Sequence, residues 1–307
     1  MTVTPILQPG QMEGAAGNIP ELRLPPANLF SSRAQRLRQL AEGHSLGDYL
    51  RFIAVLCEGQ QGELDNHPGI PIPDATLLSN CREYAMPPLA PPGWPRHSHW
   101  QEVARNLADA LYDAAPASGR ESIARFLGQK KDWLELQAGL LLEGRLDGLD
   151  LATAPIIGAA LQVQWTWLAR QLEPNQVARQ EHPSLCPVCG SHPVASVIRI
   201  GGAENGLRYL HCALCSSEWH LVRAKCSNCD NTRDIGYYSV EGGKNIVRAE
   251  ACPECRTYLK VVHQDKDPLV DPAADDLASL ALDLLMGEEG YAKSGINYLM
   301  MHGAGES

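Results

Sequence analysis

Eight of the ten cysteines in this 307-residue chain form four Cys-x-x-Cys pairs in its second half. Two thiolates three positions apart on a tight turn can bind a metal ion from one side, and a second such turn completes a tetrahedral shell of four sulfurs. A shell of this kind suits zinc or a single iron ion. The paired cysteines are Cys186, Cys189, Cys212, Cys215, Cys226, Cys229, Cys252 and Cys255.

The cysteine pattern is duplicated along the chain. Adding 40 to positions 186, 189, 212 and 215 gives 226, 229, 252 and 255, so every cysteine falls on a cysteine. An internal repeat of this kind indicates two equivalent structural units. It favours two metal sites, each formed by the four cysteines of one repeat. Two other groupings remain open: the two inner pairs could share one ion, or the pairs could interleave between sites.

The spacing does not distinguish zinc from iron. Zinc would act as a structural cross-link that supplies folding energy to a domain too small for a full core. Iron would add a one-electron couple whose potential depends on burial and on hydrogen bonds to sulfur. A closed four-sulfur shell leaves no position for a substrate, and the sequence contains no hydrolase nucleophile set, phosphate loop or dinucleotide fingerprint. We therefore expect a protein that is not an enzyme.

Predicted strands explain how cysteines distant in sequence can meet. β-Branched and aromatic runs flank glycines between the two pairs of each repeat, which predicts a hairpin that returns the chain to its origin. A third strand is predicted after the last pair of each repeat. The predicted strands cover 195–200, 207–211 and 218–223 in the first repeat, and 235–240, 246–249 and 257–262 in the second.

The first half of the chain predicts helices. Apolar residues recur with helical spacing, and Ser32 and Ser45 are suitable caps for the first two helices. A proline-rich connector with one short helical turn at 74–79 interrupts this pattern. The predicted helices cover 33–42, 46–60, 100–114, 121–127, 131–143 and 154–172.

The predicted fold class is α+β and multidomain, with an N-terminal all-α bundle, two small tandem β domains and a C-terminal helix. That helix would begin at Asp275 or Asp276, and a fraying tail would follow Gly290. The predicted domains are a flexible N-terminus (1–30), a helical domain (31–175), the first and second Cys-x-x-Cys repeats (184–224 and 225–264), and the C-terminal helix and tail (265–307).

Charge and hydropathy limit the possible partners. The formal net charge of −10 argues against a general nucleic-acid binder, which needs a basic surface. The N-terminus has no signal-peptide pattern, so we expect a cytoplasmic protein whose thiols stay reduced. Residues 151–169 lack charged side chains, but Pro155, Gln162 and Gln164 favour a buried helix over a membrane span.

The remaining candidate ligands are less specific. His182, His192, His211 and His220 lie near the cysteine pairs and are expected to be surface or supporting groups, because each site already has four thiolates. Cys57 lies on an apolar helical stripe and is expected in the core. Cys81 falls in a predicted loop and has no assigned role.

Seven segments of the chain resemble the FdhE family, accessory proteins of formate dehydrogenase. The resemblance extends over nearly the whole chain, from the helical half through both cysteine repeats to the last helix. These segments are ELRLP (21–25), GHSLGDYLRF (43–52), CPVCGSHPVASVI (186–198), LRYLHCALCSSEWHLVRAKCSNC (207–229), EACPEC (250–255), YLKVVHQDKDP (258–268) and ADDLASLALDLLM (274–286).

The resemblance implies a cytoplasmic maturation factor for respiratory formate dehydrogenase, acting on its molybdenum or tungsten selenocysteine-type catalytic subunit before or around export. It also implies rubredoxin-like β domains in which the eight paired cysteines hold two mononuclear Fe(Cys)4 sites, with zinc as the alternative. The metal would then be either redox-active or a structural element of a docking protein. A zinc-ribbon nucleic-acid binder is a third possibility, although it needs a basic face. The oligomeric state is left open.

One departure from the rubredoxin pattern concerns the residue after each second cysteine. Rubredoxin-type turns favour glycine there, because the backbone takes a left-handed conformation. Gly190 fits and Asp230 is tolerable, but Ser216 and Arg256 do not match. The sequence therefore predicts four turns that are not equivalent.

Overall fold

The helical half of the computed structural model surrounds one long apolar helix. The structure describes residues 19–300 except 92, 93, 95, 179–183, 224, 242 and 243. Helix α7 is buried along nearly its whole length, which explains the uncharged run in the sequence. The helices of this half are α1 (Leu29–Leu40), α2 (Gly47–Asp65), α3 (Ala75–Glu83), α4 (His99–Tyr112), α5 (Ala117–Leu127), α6 (Lys131–Leu142) and α7 (Ala154–Ala169). Within the described ranges, no helix combines the length and apolar character needed to cross a lipid bilayer.

The two cysteine repeats form one continuous sheet. Its strands are β1 (Leu22–Arg23), β2 (Pro193–Ile198), β3 (Arg208–Cys212), β4 (Glu218–His220), β5 (Gly236–Tyr238), β6 (Val247–Cys252), β7 (Thr257–His263) and β8 (Ala292–Lys293). They are arranged in the order β1-β4-β3-β2-β7-β6-β5, and β8 pairs with β7. Strands β2–β4 come from the first repeat and β5–β7 from the second.

A parallel pairing of β2 with β7 joins the repeats, with Ser196 opposite Val261 and Ile198 opposite His263. Within each repeat the strands pair antiparallel. The predicted hairpins are therefore present, but they do not form separate sheets. The predicted strand at 218–223 is shorter than expected and ends at His220.

The first residues of the chain are more ordered than the sequence predicts. The prediction of a flexible segment over residues 1–30 is wrong for residues 22–30, which contain β1 and the start of α1. Strand β1 pairs antiparallel with β4. Ser32 is not the cap of α1, because buried Leu29 and Phe30 extend the helix to an earlier start, and the Gln61 side chain of α2 accepts the N–H groups of Phe30 and Ser31. Residues 1–18 lie outside the described part of the chain.

The C-terminal region contains two helices where the sequence predicts one. Helix α8 (Pro272–Ala278) and helix α9 (Leu280–Glu288) meet at Ser279. Asp271 is the cap, since its side chain accepts the N–H groups of Ala273 and Ala274. The prediction that Asp275 or Asp276 begins the helix is therefore wrong, and both aspartates are buried inside α8.

The predicted fraying after Gly290 is also wrong for the described residues. Strand β8 pairs with β7, and Tyr298 and Leu299 are buried. Tyr298 packs so closely on α7 that a Cβ atom added at Gly158 would lie 2.7 Å from the Tyr298 Cβ. This contact ties the end of the described chain to the helical half.

One hydrophobic core joins the helices to the first repeat, and it includes all four cysteines of that repeat. In the second repeat, Leu259 of β7 also belongs to this core, whereas other apolar residues form smaller clusters, one of them between β6, β7 and α9. The two repeats are therefore supported very differently, although their strand plan is the same.

Candidate metal centres

The structure brings the eight paired cysteines together in two groups of four. Each group contains the cysteines of one repeat, and its Sγ atoms all lie within 4.8 Å of one another. We call the first group centre 1 and the second group centre 2. Centre 1 contains Cys186, Cys189, Cys212 and Cys215, and centre 2 contains Cys226, Cys229, Cys252 and Cys255. The groupings across repeats that the sequence left open are not formed, and neither group contains a histidine within the described ranges.

The spacing of the sulfurs fits a tetrahedral metal ion. In centre 1 the Sγ atoms of Cys186 and Cys215 are 3.6 Å apart, and those of Cys189 and Cys212 are 3.4 Å apart. The corresponding distances in centre 2 are 3.8 and 3.6 Å. A tetrahedron with metal–sulfur bonds of about 2.3 Å has edges of about 3.8 Å. Both groups could therefore hold a metal ion with little movement.

All four cysteine turns have the same backbone conformation at the residue after the second cysteine. The φ angles are +73° at Gly190, +57° at Ser216, +63° at Asp230 and +54° at Arg256. The prediction that the turns differ is therefore wrong in conformation, although the residue types differ. A left-handed conformation costs a non-glycine residue about 1–2 kcal/mol. The turns keep this conformation because interactions within each turn outweigh the cost of the left-handed backbone.

Backbone hydrogen bonds supply those interactions. The N–H groups of Cys186, Cys212 and Cys226 each donate to the carbonyl oxygen five residues later, at 2.7–2.9 Å. Other N–H groups point at sulfur: those of Leu214 and Cys215 lie 3.4 Å from Cys212 Sγ. Hydrogen bonds of this type stabilise the charged thiolate form that binds metal.

Hydroxyl groups occupy matching positions in the two centres. The Ser217 hydroxyl lies 3.3 Å from Cys215 Sγ, and the Thr257 hydroxyl lies 3.1 Å from Cys255 Sγ. Ser217 and Thr257 are related by the same 40-residue shift as the cysteines. Centre 2 has a further contact, because the Asn231 side-chain amide donates to Cys252 Sγ at 3.5 Å.

Burial separates the two centres. All four cysteines of centre 1 have 0% exposure. In centre 2, Cys226 and Cys252 are buried, Cys255 is half-buried and Cys229 is exposed. An ion in centre 1 would be enclosed by protein, whereas an ion in centre 2 would lie close to solvent on the side of Cys229.

Centre 1 is fixed to the helical half by hydrogen bonds to its turns. The Gln162 amide of α7 donates to the Ala213 carbonyl at 2.7 Å, between the two cysteines of the second turn. The amide of Gln60 donates to the Gln162 side-chain oxygen and holds it in place. On the first turn, the Val188 carbonyl accepts the N–H of Leu89 at 2.9 Å. Each cysteine turn of centre 1 is thus bound by a residue of the helical region that precedes the repeats.

Centre 2 contacts the end of the chain instead. The Arg256 guanidinium, on the second turn, donates to the Glu289 carbonyl at 2.8 Å and lies 4.2 Å from the ring centre of Tyr291. Both contacts are at the surface or close to it. They connect centre 2 to the end of α9 and not to the helices of the first half.

A buried charge network beside centre 1 was not predicted. His211 precedes the ligand candidate Cys212, and its ring lies 3.0 Å from Glu218 and 3.3 Å from the Arg33 guanidinium of α1. Burial raises the pKa of Glu218, but the charges and hydrogen bonds of Arg199 and His211 outweigh this effect and lower the pKa to about 2. Arg33 also forms an ion pair with Asp271. The only sequence signal is that Arg33 shares a helix face with Leu37, four residues later.

The other candidate residues take no part in either group. His192 is exposed, His220 is half-buried in β4, and His182 lies outside the described residues. Cys57 is buried in α2, as predicted, and burial raises the pKa of its thiol to about 12. Cys81 is buried in α3, so its predicted loop position is wrong.

The fold and these centres define a mixed helix-and-sheet protein with two four-cysteine groups, each able to hold a metal ion. Family models match almost all described residues: the FdhE N-terminal region at 19–182, the FdhE central domain at 185–223 and the FdhE C-terminal domain at 224–300. This chain belongs to the FdhE family.

Individual relatives agree with this assignment. The chain is 44% identical to an FdhE homolog of Pseudomonas aeruginosa, with 97% of this chain and 98% of the relative covered. It is 41% identical to the FdhE protein of Salmonella arizonae, with 95% and 94% covered. The crystal structure of the FdhE protein from Pseudomonas aeruginosa matches with a TM-score of 0.81 and 41% identity, and covers 93% of this chain and 100% of that chain.

Proposed function

We propose that this protein is an accessory factor for the maturation of respiratory formate dehydrogenase, that it is not itself an enzyme, and that it binds the catalytic subunit in the cytoplasm. Membership of the FdhE family over residues 19–300 carries this proposal. The fold we propose is an N-terminal helical bundle followed by two rubredoxin-like units that share one sheet. The eight cysteines of centres 1 and 2 are the proposed metal ligands.

Iron is the proposed metal, with one mononuclear Fe(Cys)4 site in each centre. The sulfur spacing fits iron and zinc equally well, so the preference for iron comes from the resemblance to the FdhE family, which implies rubredoxin-like iron sites. Iron bound there would supply a one-electron couple. The chain's own contribution is to hold the sulfurs in place and to direct N–H and hydroxyl groups at them, as at Cys212 and Cys255. Such hydrogen bonds tune the potential of an iron–sulfur site.

A structural role for zinc is the second candidate. It is favoured by the burial of centre 1, whose cysteines have 0% exposure and lie in the same core as the helices. A metal in that position would stabilise the fold whether or not it changes oxidation state. In this version the protein is a docking factor that needs the metals only for its shape.

Metal content and complementation together test the proposal. The full-length protein is purified without oxygen or added metal, and iron and zinc are measured per chain. In parallel, a bacterial strain that lacks its own FdhE gene receives the wild type, Cys229→Ser or the control Cys57→Ser, and formate dehydrogenase activity and co-purification of the catalytic subunit are measured. We expect two irons per chain, restored activity with wild type and Cys57→Ser, and loss of activity with Cys229→Ser.

The outcomes separate the two candidates. Two zinc ions per chain in the active purified protein would support the docking role. Full activity after all bound iron has been replaced by zinc would exclude the redox role. Failure of the wild-type chain to restore activity, or to co-purify with the catalytic subunit, would overturn the accessory function itself.

A further inference from the structure

A small basic cleft lies on one face of the sheet, and one of its lining residues, Glu250, is two residues before the centre 2 cysteine Cys252 on β6. Strands β4 and β5 belong to the first and second repeat and lie far apart in the strand order, and residues 221–235 connect them along the chain. The Arg208 guanidinium fixes this segment by donating to the Lys225 carbonyl at 2.9 Å. Beside it is a cleft of about 240 Å³. The cleft is lined by Ile198, Arg223, Tyr237, Arg248, Glu250 and His263.

Strand register explains why these side chains share one face. Ile198 pairs with His263 across β2 and β7, and Tyr237 pairs with Glu250 across β5 and β6. Arg248 is two residues before Glu250 on β6, and residues two apart on a strand point to the same side. Four strands and Arg223, which lies between β4 and β5, therefore contribute side chains to the cleft.

Two arginines of the cleft lack a direct ion pair within the described residues, although the charge of Arg223 opposes the rise in the pKa of Glu250 that burial causes. The Glu250 carboxylate is already paired with Arg208, at 2.6 Å, and both side chains are buried. Arg223 and Arg248 form no ion pair with any residue that the structure describes, and the Arg248 Nε atom is buried without a hydrogen-bond partner. Arg208 balances Glu250, and Asp265, which lies 3.3 Å from the His263 ring, offsets part of the charge of Arg223 and Arg248, so the cleft keeps a net positive charge.

His263 adds a polar group without adding to this charge. Burial lowers the pKa of His263; its contact with Asp265 raises the pKa, and the positive charges of Arg248 and Arg223 lower it again, for a net decrease. The ring is therefore neutral at pH 8 and available as a hydrogen-bond donor or acceptor.

We propose that this cleft binds the phosphate group of a small anionic ligand. Pockets for drug-sized ligands usually measure about 300–1,000 Å³, so a cleft of this size fits a single head group. The planar guanidinium forms paired hydrogen bonds with phosphate oxygens. A phosphate group offers three strong acceptor oxygens to the two guanidinium groups, whereas a carboxylate offers only two oxygens. The inference depends on neither the bound metal nor the role in formate dehydrogenase maturation.

Titration calorimetry on the full-length, metal-loaded protein tests this site. Inorganic phosphate, pyrophosphate and acetate are each titrated at pH 8 and constant ionic strength into the wild type, Arg223→Gln, Arg248→Gln and the control Arg125→Gln. Arg125 is an exposed arginine of α5 whose side chain contacts only the Ser122 hydroxyl among described residues, so its variant removes the same charge elsewhere. We expect one phosphate per chain and an affinity at least tenfold weaker in both cleft variants but unchanged in the control.

The comparison between ligands identifies the source of the phosphate. Tighter binding of pyrophosphate than of phosphate would support a diphosphate-bearing ligand, and equal binding would support a monophosphate. Acetate that binds as tightly as phosphate, or phosphate affinity that Arg223→Gln leaves unchanged, would overturn the proposal. Arg223 lies outside the strands, so its variant tests the site without disturbing the sheet.

Discussion

Centres 1 and 2 share a sequence repeat, a strand plan and a turn conformation, but they differ in their surroundings. Centre 1 lies in the main hydrophobic core, and residues of the helical half bind both of its turns. Centre 2 belongs to the other half of the same sheet, with an exposed cysteine, Cys229, and a contact from its second turn to the end of α9. The two repeats therefore share the geometry around the metal but differ in the part of the protein that surrounds it. We expect the metal of centre 1 to contribute to global stability and the metal of centre 2 to exchange more readily with the solvent.

The largest difference should appear when equivalent ligands are removed. Cys212 and Cys252 occupy the same position in the two repeats. Structural metal sites can contribute on the order of 10 kcal/mol to folding, and centre 1 is continuous with the core. We expect Cys212→Ser to lower the melting temperature by roughly 10 °C or more, while Cys252→Ser causes a smaller decrease. Calorimetry and metal content per chain provide the measurement.

One control variant and one contrary outcome define the limits of that comparison. Cys57→Ser removes a buried thiol of α2 that belongs to neither centre, and both metals should remain bound. Equal decreases in melting temperature for Cys212→Ser and Cys252→Ser would show that burial does not distinguish the centres.

A smaller effect is expected from the contact between α7 and centre 1. Gln162→Leu keeps the side-chain size but leaves the Ala213 carbonyl without its donor, and it also removes an acceptor of Gln60. Losing a partner of a buried polar group costs about 1–3 kcal/mol. Urea unfolding should show a decrease of this size. The control Gln171→Leu changes an exposed residue that donates to Trp167 within the same helical region, and it should have little effect.

That experiment can also contradict the proposed link between the helices and the metal. If Gln162→Leu destabilises the protein but metal release from both centres keeps its wild-type rate, then α7 supports only the core. Faster release from centre 1 alone would confirm that the helix holds the cysteine turn.

The smallest effects concern the left-handed residues after the second cysteines. Ser216→Gly removes backbone strain and a buried hydroxyl that has no partner in the described structure, so it should stabilise the protein by about 1 kcal/mol. The equivalent change Arg256→Gly relieves the same strain but loses the contacts with Glu289 and Tyr291. It should therefore be neutral or destabilising. Chemical denaturation of the two variants would test this, and a stabilising effect of both would show that the Arg256 contacts contribute nothing.

Much of the local structure could be predicted from sequence because the signals are local. The 40-residue repeat predicted which cysteines lie together, and the helical spacing located α2, α4, α6 and α7 to within a few residues. Charge-free residues in α7 correctly predicted a buried helix.

The remaining features depend on contacts between distant parts of the chain. The pairing of β2 with β7 joins residues more than 60 positions apart, and no spacing rule fixes which strands meet. The left-handed Ser216 and Arg256 contradict their residue preferences because the hydrogen bonds of the turn outweigh them. The sequence predicts a helix start at Asp276 because aspartate is a favoured N-cap residue. In the structure Asp276 lies inside α8, where Lys260 and Lys293 pair with its buried carboxylate.

The parallel pairing of β2 with β7 also has a consequence for synthesis on the ribosome. The chain emerges from its N-terminus, so all four cysteines of centre 1 are available before the first cysteine of centre 2. Strand β2 can pair with β3 at that stage, but its other edge has no neighbour until β7 has been made. An open strand edge is a template for pairing with other chains. The second repeat is thus the element that closes this edge, and a nascent chain that stalls before β7 exposes a surface prone to aggregation.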